Sequence, residues 1–205
     1  MSDEQLATVA RILRELRLPQ TLLSLLLAHA EAVRADADRL GLVASRDQGS
    51  VLSRHTADSL LFALAREPED GEQWADVGSG AGFPGLVLAC CYPGTIFTLV
   101  EPQRRRAAFL ELQRAGLGLE NVELAIQRAD DLPPGRFDVV VARALAEPAL
   151  AMEAMRRLAR PDGTILVAVG PRASVPPGIE EIDVSRAGVD SPGRIFMMTQ
   201  TPGGA

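Results

Sequence analysis

No lysine occurs anywhere in the 205 residues, so all 21 basic side chains are arginine. Schiff-base and other lysine-amine chemistry is therefore excluded. Aromatic residues make up only 4% of the chain, with a single Trp and a single Tyr, too few for an obvious platform on which single-stranded nucleic acid would stack. Cysteine is equally scarce. Cys90 and Cys91 are the only two, adjacent in a stretch of helical pattern, which rules out an ordinary disulfide framework and suggests a reducing compartment. Positive charge is in deficit as well: the net charge of -6 argues against a uniformly basic surface and confines any nucleic-acid contact to a local patch. No apolar run approaches the length of a membrane span, and Met1-Ser2-Asp3-Glu4 lacks the basic-then-apolar order of a secretory signal. The expectation is a soluble cytoplasmic protein with no membrane contact and, absent a coiled-coil or edge signal, a monomer.

What is present is enough apolar residue, 47%, for one substantial core. Ser2 to Gln5 has capping-box spacing, and Leu6, Val9, Leu13 and Leu16 follow at helical intervals, predicting a helix to about Leu18 that Pro19 ends. A second helix is predicted from Thr21 to Leu40 with Gly41 as its stop, and a third from near Asp47 to Leu64. These form an N-terminal helical cap over residues 1–72. From there to residue 201 the pattern becomes short β runs alternating with helices: Trp74 to Val77, Thr95 to Val100, Val122 to Ile126, Phe137 to Val141 and Thr164 to Val169. Such alternation predicts a doubly wound, mostly parallel α/β sheet. Ile182 to Val184 and Ile195 to Thr199 are joined by too little chain for a crossover helix, so they are predicted to pair as a terminal antiparallel hairpin. Pro202 to Ala205 should fray.

The chemistry centres on Asp76 to Gly85, D-V-G-S-G-A-G-F-P-G, four glycines in ten residues where a strand hands over to a helix. Such a turn brings main-chain N–H groups and a helix N-terminus close to a nucleotide-type ligand. Gly80, Gly82 and Gly85 fit the dinucleotide pattern G-x-G-x-x-G, but Asp76, Gly78 and Ser79 ahead of them fit the first motif of S-adenosylmethionine (SAM) methyltransferases. Glu101, at the end of the second strand, is placed to accept from both hydroxyls of a ribose, which NAD and SAM share. Asp130, after the third strand, is placed to accept from an adenine amine. This and the terminal hairpin favour SAM over NAD.

The resemblance is to the RsmG (GidB) family, methyltransferases of guanine N7 in small-subunit (16S) ribosomal RNA. It is carried by R-H-T-A-D-S-L at Arg54 to Leu60, the glycine loop, L-V-E-P-Q-R-R-R-A-A-F-L at Leu99 to Leu110, N-V-E-L at Asn121 to Leu124, R-A-D at Arg128 to Asp130, F-D-V-V-V-A-R-A at Phe137 to Ala144 and G-R-I-F-M-M at Gly193 to Met198. It implies a class I SAM-dependent methyltransferase, a Rossmann-like seven-stranded sheet with helices on both faces, acting on 16S rRNA or the small ribosomal subunit. It further implies that Gly78 and Phe83 contact SAM, that Ala129 and Asp130 hold the adenine, and that Arg143 lies at the methionine end beside the incoming base. Asp76, Gly80 and Glu101 belong to the same expected cofactor set. Two departures fall on the acceptor side: Val169 stands before Gly170 where the family usually has lysine, and Ala28 to Val43 lacks the family's Trp and Asn. A small-molecule acceptor, or SAM binding without transfer, are the alternatives these departures leave.

The remaining reactive residues have plainer readings. His55, Asp58 and Ser59 lie within one helical turn, too close in sequence to converge as a catalytic triad, and are read as a cap-helix network; the resemblance nevertheless allows His55 and Asp58 to line the site. Arg104, Arg105 and Arg106 open a helix against its macrodipole, which suits either a solvated face or a phosphate contact. His29 is expected on a helix surface. Cys90, Cys91, Trp74 and Phe109 are expected in the core. Arg156, Arg157 and Arg160 are given a structural role near a helix end. No metal is expected.

Overall fold

The structure, a computed structural model, describes residues 3–143, 152, 155–170, 172–188 and 194–200. Ser2, Ala144, Gly193 and the stretch from Pro202 to Ala205 lie outside those residues. Helix α1 spans Asp3–Glu15 and α2 spans Leu22–Leu40, the latter closed by Gly41 in the left-handed conformation, whose N–H returns to the Ala37 carbonyl. The first helix stops short of the predicted Leu18 because the chain turns at Arg17, which has a positive φ of 57°. The predicted third helix is also not uniform. A 3₁₀ turn at Ser45–Ser50 passes into a π turn at Val51–Thr56, and only then does α3 run from Ala57 to Ala65. A π turn widens the helix and re-aims side chains, a distortion that hydrophobic spacing does not reveal.

Seven strands follow: β1 Gln73–Val77, β2 Ile96–Val100, β3 Val122–Ala125, β4 Phe137–Arg143, β5 Ala159–Val169, β6 Glu180–Ile182 and β7 Arg194–Thr199. They form one sheet in the order β3-β2-β1-β4-β5-β7-β6. The first five are mutually parallel, and β7 is inserted antiparallel between β5 and β6, so the expected hairpin pairing is present. Strand β5 begins five residues before the predicted Thr164, running through an irregular stretch in which Asp162 has a positive φ.

Alternation along the strands divides the core between the two faces. Val139 and Val141 of β4 and Leu166 of β5 point to one face, while Val140, Ala142, Ile165 and Val167 point to the other. The first face carries α4 (Gly85–Cys91), buried at every position, α5 (Arg104–Gly116), and the apolar stripes of α1, α2 and α3, including Ile12, Leu13, Leu26 and Leu60. Residues of the cap therefore share a core with the sheet. Asn121 stitches this layer together by donating to the carbonyls of Ala89, Tyr92 and Thr95 at 3.1–3.2 Å. Trp74, Phe109, Cys90 and Cys91 are buried, as expected.

Candidate active site at the strand ends

The sheet order reverses at β1, with β2 on one side and β4 on the other, so the loops leaving these strands open a crevice at their carboxyl ends. The loop after β1 is tied down from below. Gly78 and Ser79 donate to the Val100 carbonyl at 2.9 and 3.2 Å, Ser79 Oγ donates to the Asp76 carbonyl at 2.8 Å, and Gly85 donates to Asp76 Oδ2 at 3.0 Å. Gly85 is required for that last contact, because a Cβ there would collide with Leu99 and lie 2.7 Å from Asp76 Oδ2. Gly78 is required for a different reason. Its φ is +75°, and a Cβ would point into open space within 4 Å, so the loop leaves a cradle above it.

Asp76 is 1% exposed, and its second oxygen, Oδ1, is buried without a hydrogen-bond partner. Burial pushes its pKa up to about 6, against the Gly85 and Ser79 bonds and the charge of Arg143. An acceptor left open in this way suits a ligand donor. Glu101, also buried, accepts the Gly80 N–H at 3.0 Å through Oε2 and the Gln103 N–H at 2.8 Å through Oε1, one bond per oxygen, leaving lone pairs for further donors. Ala129 and Asp130 lie in a 3₁₀ turn after β3, beside β2 in the sheet. Arg157 braces this turn by donating to both carbonyls at 3.0 and 2.7 Å, while the Asp130 carboxylate is exposed and has no partner among the described residues.

At the end of β4, Arg143 faces the cap. Its Nη1 lies 2.7 Å from His55 Nδ1, and its guanidinium sits over the Phe83 ring at 5.2 Å. Since a guanidinium only donates, His55 Nδ1 is the acceptor and the imidazole proton resides on Nε2. Burial, reinforced by Arg143, lowers the His55 pKa to about 4, so this acceptor persists near neutrality. Burial also lowers the Arg143 pKa, opposed by Asp58 and Asp76, but guanidinium stays cationic. Together Arg143, His55 and Asp58 line a cavity of about 260 Å³ with Asp47, Arg54 and Val169.

The structure thus brings His55, Asp58, Phe83, Arg143 and Val169 to one place. Phe83 is 4% exposed and forms the wall between His29 and His55, at ring distances of 5.0 and 5.6 Å. Ser59 does not join them; its hydroxyl donates from α3 back to the His55 carbonyl in the π turn. His29 is not a surface residue: it is 1% exposed, with Nδ1 3.3 Å from Gln113 Oε1, because α5 covers the face of α2 that its spacing assigns to solvent. Arg106 donates to the Gly41 carbonyl at 2.8 Å, bracing the cap, whereas Arg104 and Arg105 are exposed. Arg160 lies on β5 and pairs with Asp138, not at a helix end. Arg157, 27 residues from the turn it braces, carried no local signal, and Asp47 read only as a helix start.

The GidB profile, described as rRNA small subunit methyltransferase G, matches residues 23–175. Proteins named ribosomal RNA small subunit methyltransferase G are similar: one from Sorangium cellulosum is 39% identical over 65% of this chain and 58% of its own length, and one from Halorhodospira halophila is 40% identical over 64% and 61%. One from Symbiobacterium thermophilum is 34% identical over 82% of this chain and 70% of its own length. The matched region thus spans about three fifths of the first two relatives. Among solved structures, a SAM-dependent O-methyltransferase from Thermotoga maritima shares the fold at TM-score 0.57 and 14% identity, covering 82% of this chain and 71% of its own. A tRNA (m1A58) methyltransferase from Aquifex aeolicus aligns at TM-score 0.53 and 13% identity, over 69% and 67%. With three quarters of its length inside the family profile and the seven-stranded, Rossmann-like methyltransferase fold built around its glycine loop, the chain belongs to the GidB family.

Proposed function

We propose that this protein transfers the methyl group of SAM to N7 of a guanine in 16S ribosomal RNA, as a monomer in the cytoplasm acting on the RNA or the small ribosomal subunit. The observation that carries the reading is the juxtaposition, in a member of this family, of an open glycine cradle and a buried, unpartnered Asp76 Oδ1 with an arginine-lined cavity at the end of β4. The residues present fit the cofactor. In this reading Asp76 and the Gly78 to Gly80 backbone would hold its methionine part, Glu101 the ribose hydroxyls, and Ala129 with Asp130 the adenine, whose amine the free carboxylate suits. SAM, when bound, supplies a methyl group on a positively charged sulfur.

On the acceptor side, Arg143 provides a fixed cation. Its orientation is set by His55 and by the Phe83 face beneath it, so it can hold a base edge or a phosphate without reorganising. Guanine N7 has a free lone pair and carries no proton, so no general base is needed, and none is required of His55. The cap is proposed to contribute this acceptor wall through Asp47, Arg54, His55 and Asp58. A small-molecule acceptor is the second reading, favoured by the neutral Val169 in the cavity wall and the cavity's modest size.

Labelled-methyl transfer from SAM to small subunits of a strain lacking this modification, with mapping of the product, tests the proposal. Label at a guanine N7 is expected. Cofactor binding without label in rRNA would remove the RNA reading, and label recovered in a low-molecular-weight fraction would favour the second.

A further inference from the structure

A second cavity, of about 540 Å³, lies on the cap beyond the acceptor site, lined by Glu4, Thr8, Arg11 and Arg14 on one face of α1, by Ser53 of the π turn and by Gly188. Three observations bear on what it takes. Its two cations are unspent. Arg39, Arg66, Arg114, Arg136 and Arg194 sit in ion pairs, and Arg106, Arg157 and Arg186 donate to carbonyls. Arg11 and Arg14 have no such partner among the described residues, although Glu4 shares the cavity.

Arg11 also packs close to Gly188. Gly188, at φ +61°, lies so close that a Cβ there would come within 3.2 Å of Arg11 Cζ and Nε, and Nε is buried without an acceptor. The guanidinium thus packs against Gly188 beside the cavity, with its buried Nε–H left open for an acceptor. Finally, the two cavities draw on consecutive residues of one turn of chain. Ser53 lines this cavity, while Arg54 and His55, the next two residues, line the one that holds Arg143. An RNA segment that presents a base to Arg143 and continues past this turn brings its phosphates toward Arg11 and Arg14.

We infer that the Arg11–Arg14 cavity binds the phosphodiester backbone of the RNA beside the acceptor nucleotide. In a protein of net charge -6, this supplies the local basic patch that RNA binding needs, with the hydroxyl of Ser53 as a further donor to phosphate oxygen, while that of Thr8 is spent on the Glu4 carbonyl. The inference rests on the RNA reading above. Glu4 weakens the site, and that gives the test two opposite signs.

The experiment measures binding of small-subunit rRNA at a series of salt concentrations, together with SAM affinity and the melting temperature. Arg11→Gln with Arg14→Gln is expected to lower the slope of log K against log salt by about 1.4, the release expected for two single-strand phosphate contacts. Arg14→Gln alone, at an exposed side chain, is expected to lower it by about 0.7. Glu4→Gln should tighten RNA binding, and SAM affinity should stay at the wild-type value throughout. Salt plots parallel to wild type overturn the inference, as does Glu4→Gln weakening RNA binding in step with the arginine variants. Loss of inorganic phosphate binding with a wild-type RNA slope also overturns it, since the site would then take a free anion. A wild type that binds no RNA before any substitution overturns the RNA reading and this inference with it.

Discussion

Replacing His29 with leucine should flatten the acid sensitivity of the fold even though it removes a hydrogen-bonding group. His29 is buried between Phe83 and Phe109 and faces Gln113. Burial lowers its pKa from 6.5 to about 4, with Gln113 and the Ala81 carbonyl offsetting part of that. In the unfolded chain the ring titrates near its ordinary value, so the unfolded state takes up the proton first. The contribution is intact above pH 6.5 and is lost as pH falls toward 4. At about 1.4 kcal/mol per pH unit of displacement, the wild type gives up on the order of 3 kcal/mol across that window. His55 works in the same direction, while Asp76, raised to about 6, works against both because its folded form takes up the proton first. Comparing variant with wild type cancels those two. His29→Leu should cost about 1–3 kcal/mol near neutrality by stranding the Gln113 oxygen. In urea unfolding, that deficit should shrink by roughly 2.5 kcal/mol near pH ~4.5. A deficit that does not change with pH would refute the buried, neutral imidazole and, with it, the packing that holds Phe83.

Asp130→Ala should weaken SAM binding about tenfold or more by removing a charged acceptor, whereas Arg143→Ala should lower turnover about a hundredfold with a smaller effect on SAM affinity. Calorimetry paired with single-turnover kinetics checks this split, and equal small effects would discard the role given to Arg143. Gly85→Ala should destabilise the fold by about 1–3 kcal/mol and lower SAM affinity, since a Cβ there displaces Asp76 and Leu99. Thermal melts with and without SAM check it; a wild-type melting temperature would show that the loop has room to move.

Periodicity made most of this fold legible. Alternation located six strands, while β6 lies at Glu180–Ile182, two residues ahead of the expected Ile182 to Val184, and the absence of a crossover-length connection foretold that it and β7 pair antiparallel. The glycine loop announced the ligand crevice because close backbone approach leaves a compositional trace. What stayed hidden depends on tertiary contacts. His29 looked solvent-facing until α5 was laid across α2, and Arg157 braces the Ala129–Asp130 turn from a distant segment. The π turn that aims His55 at Arg143 has no hydrophobic signature, so spacing alone reads His55, Asp58 and Ser59 as a local network, and only the family resemblance carries His55 and Asp58 to the site.

Titration of SAM into the purified protein, followed by calorimetry, is the most direct test of a sulfonium nucleoside site above the β1 loop. Saturable heat at one site per chain, lost in Asp76→Asn with Asp130→Ala and absent when NAD is the titrant, is the predicted result. No heat with SAM, or binding of NAD in its place, would contradict the account.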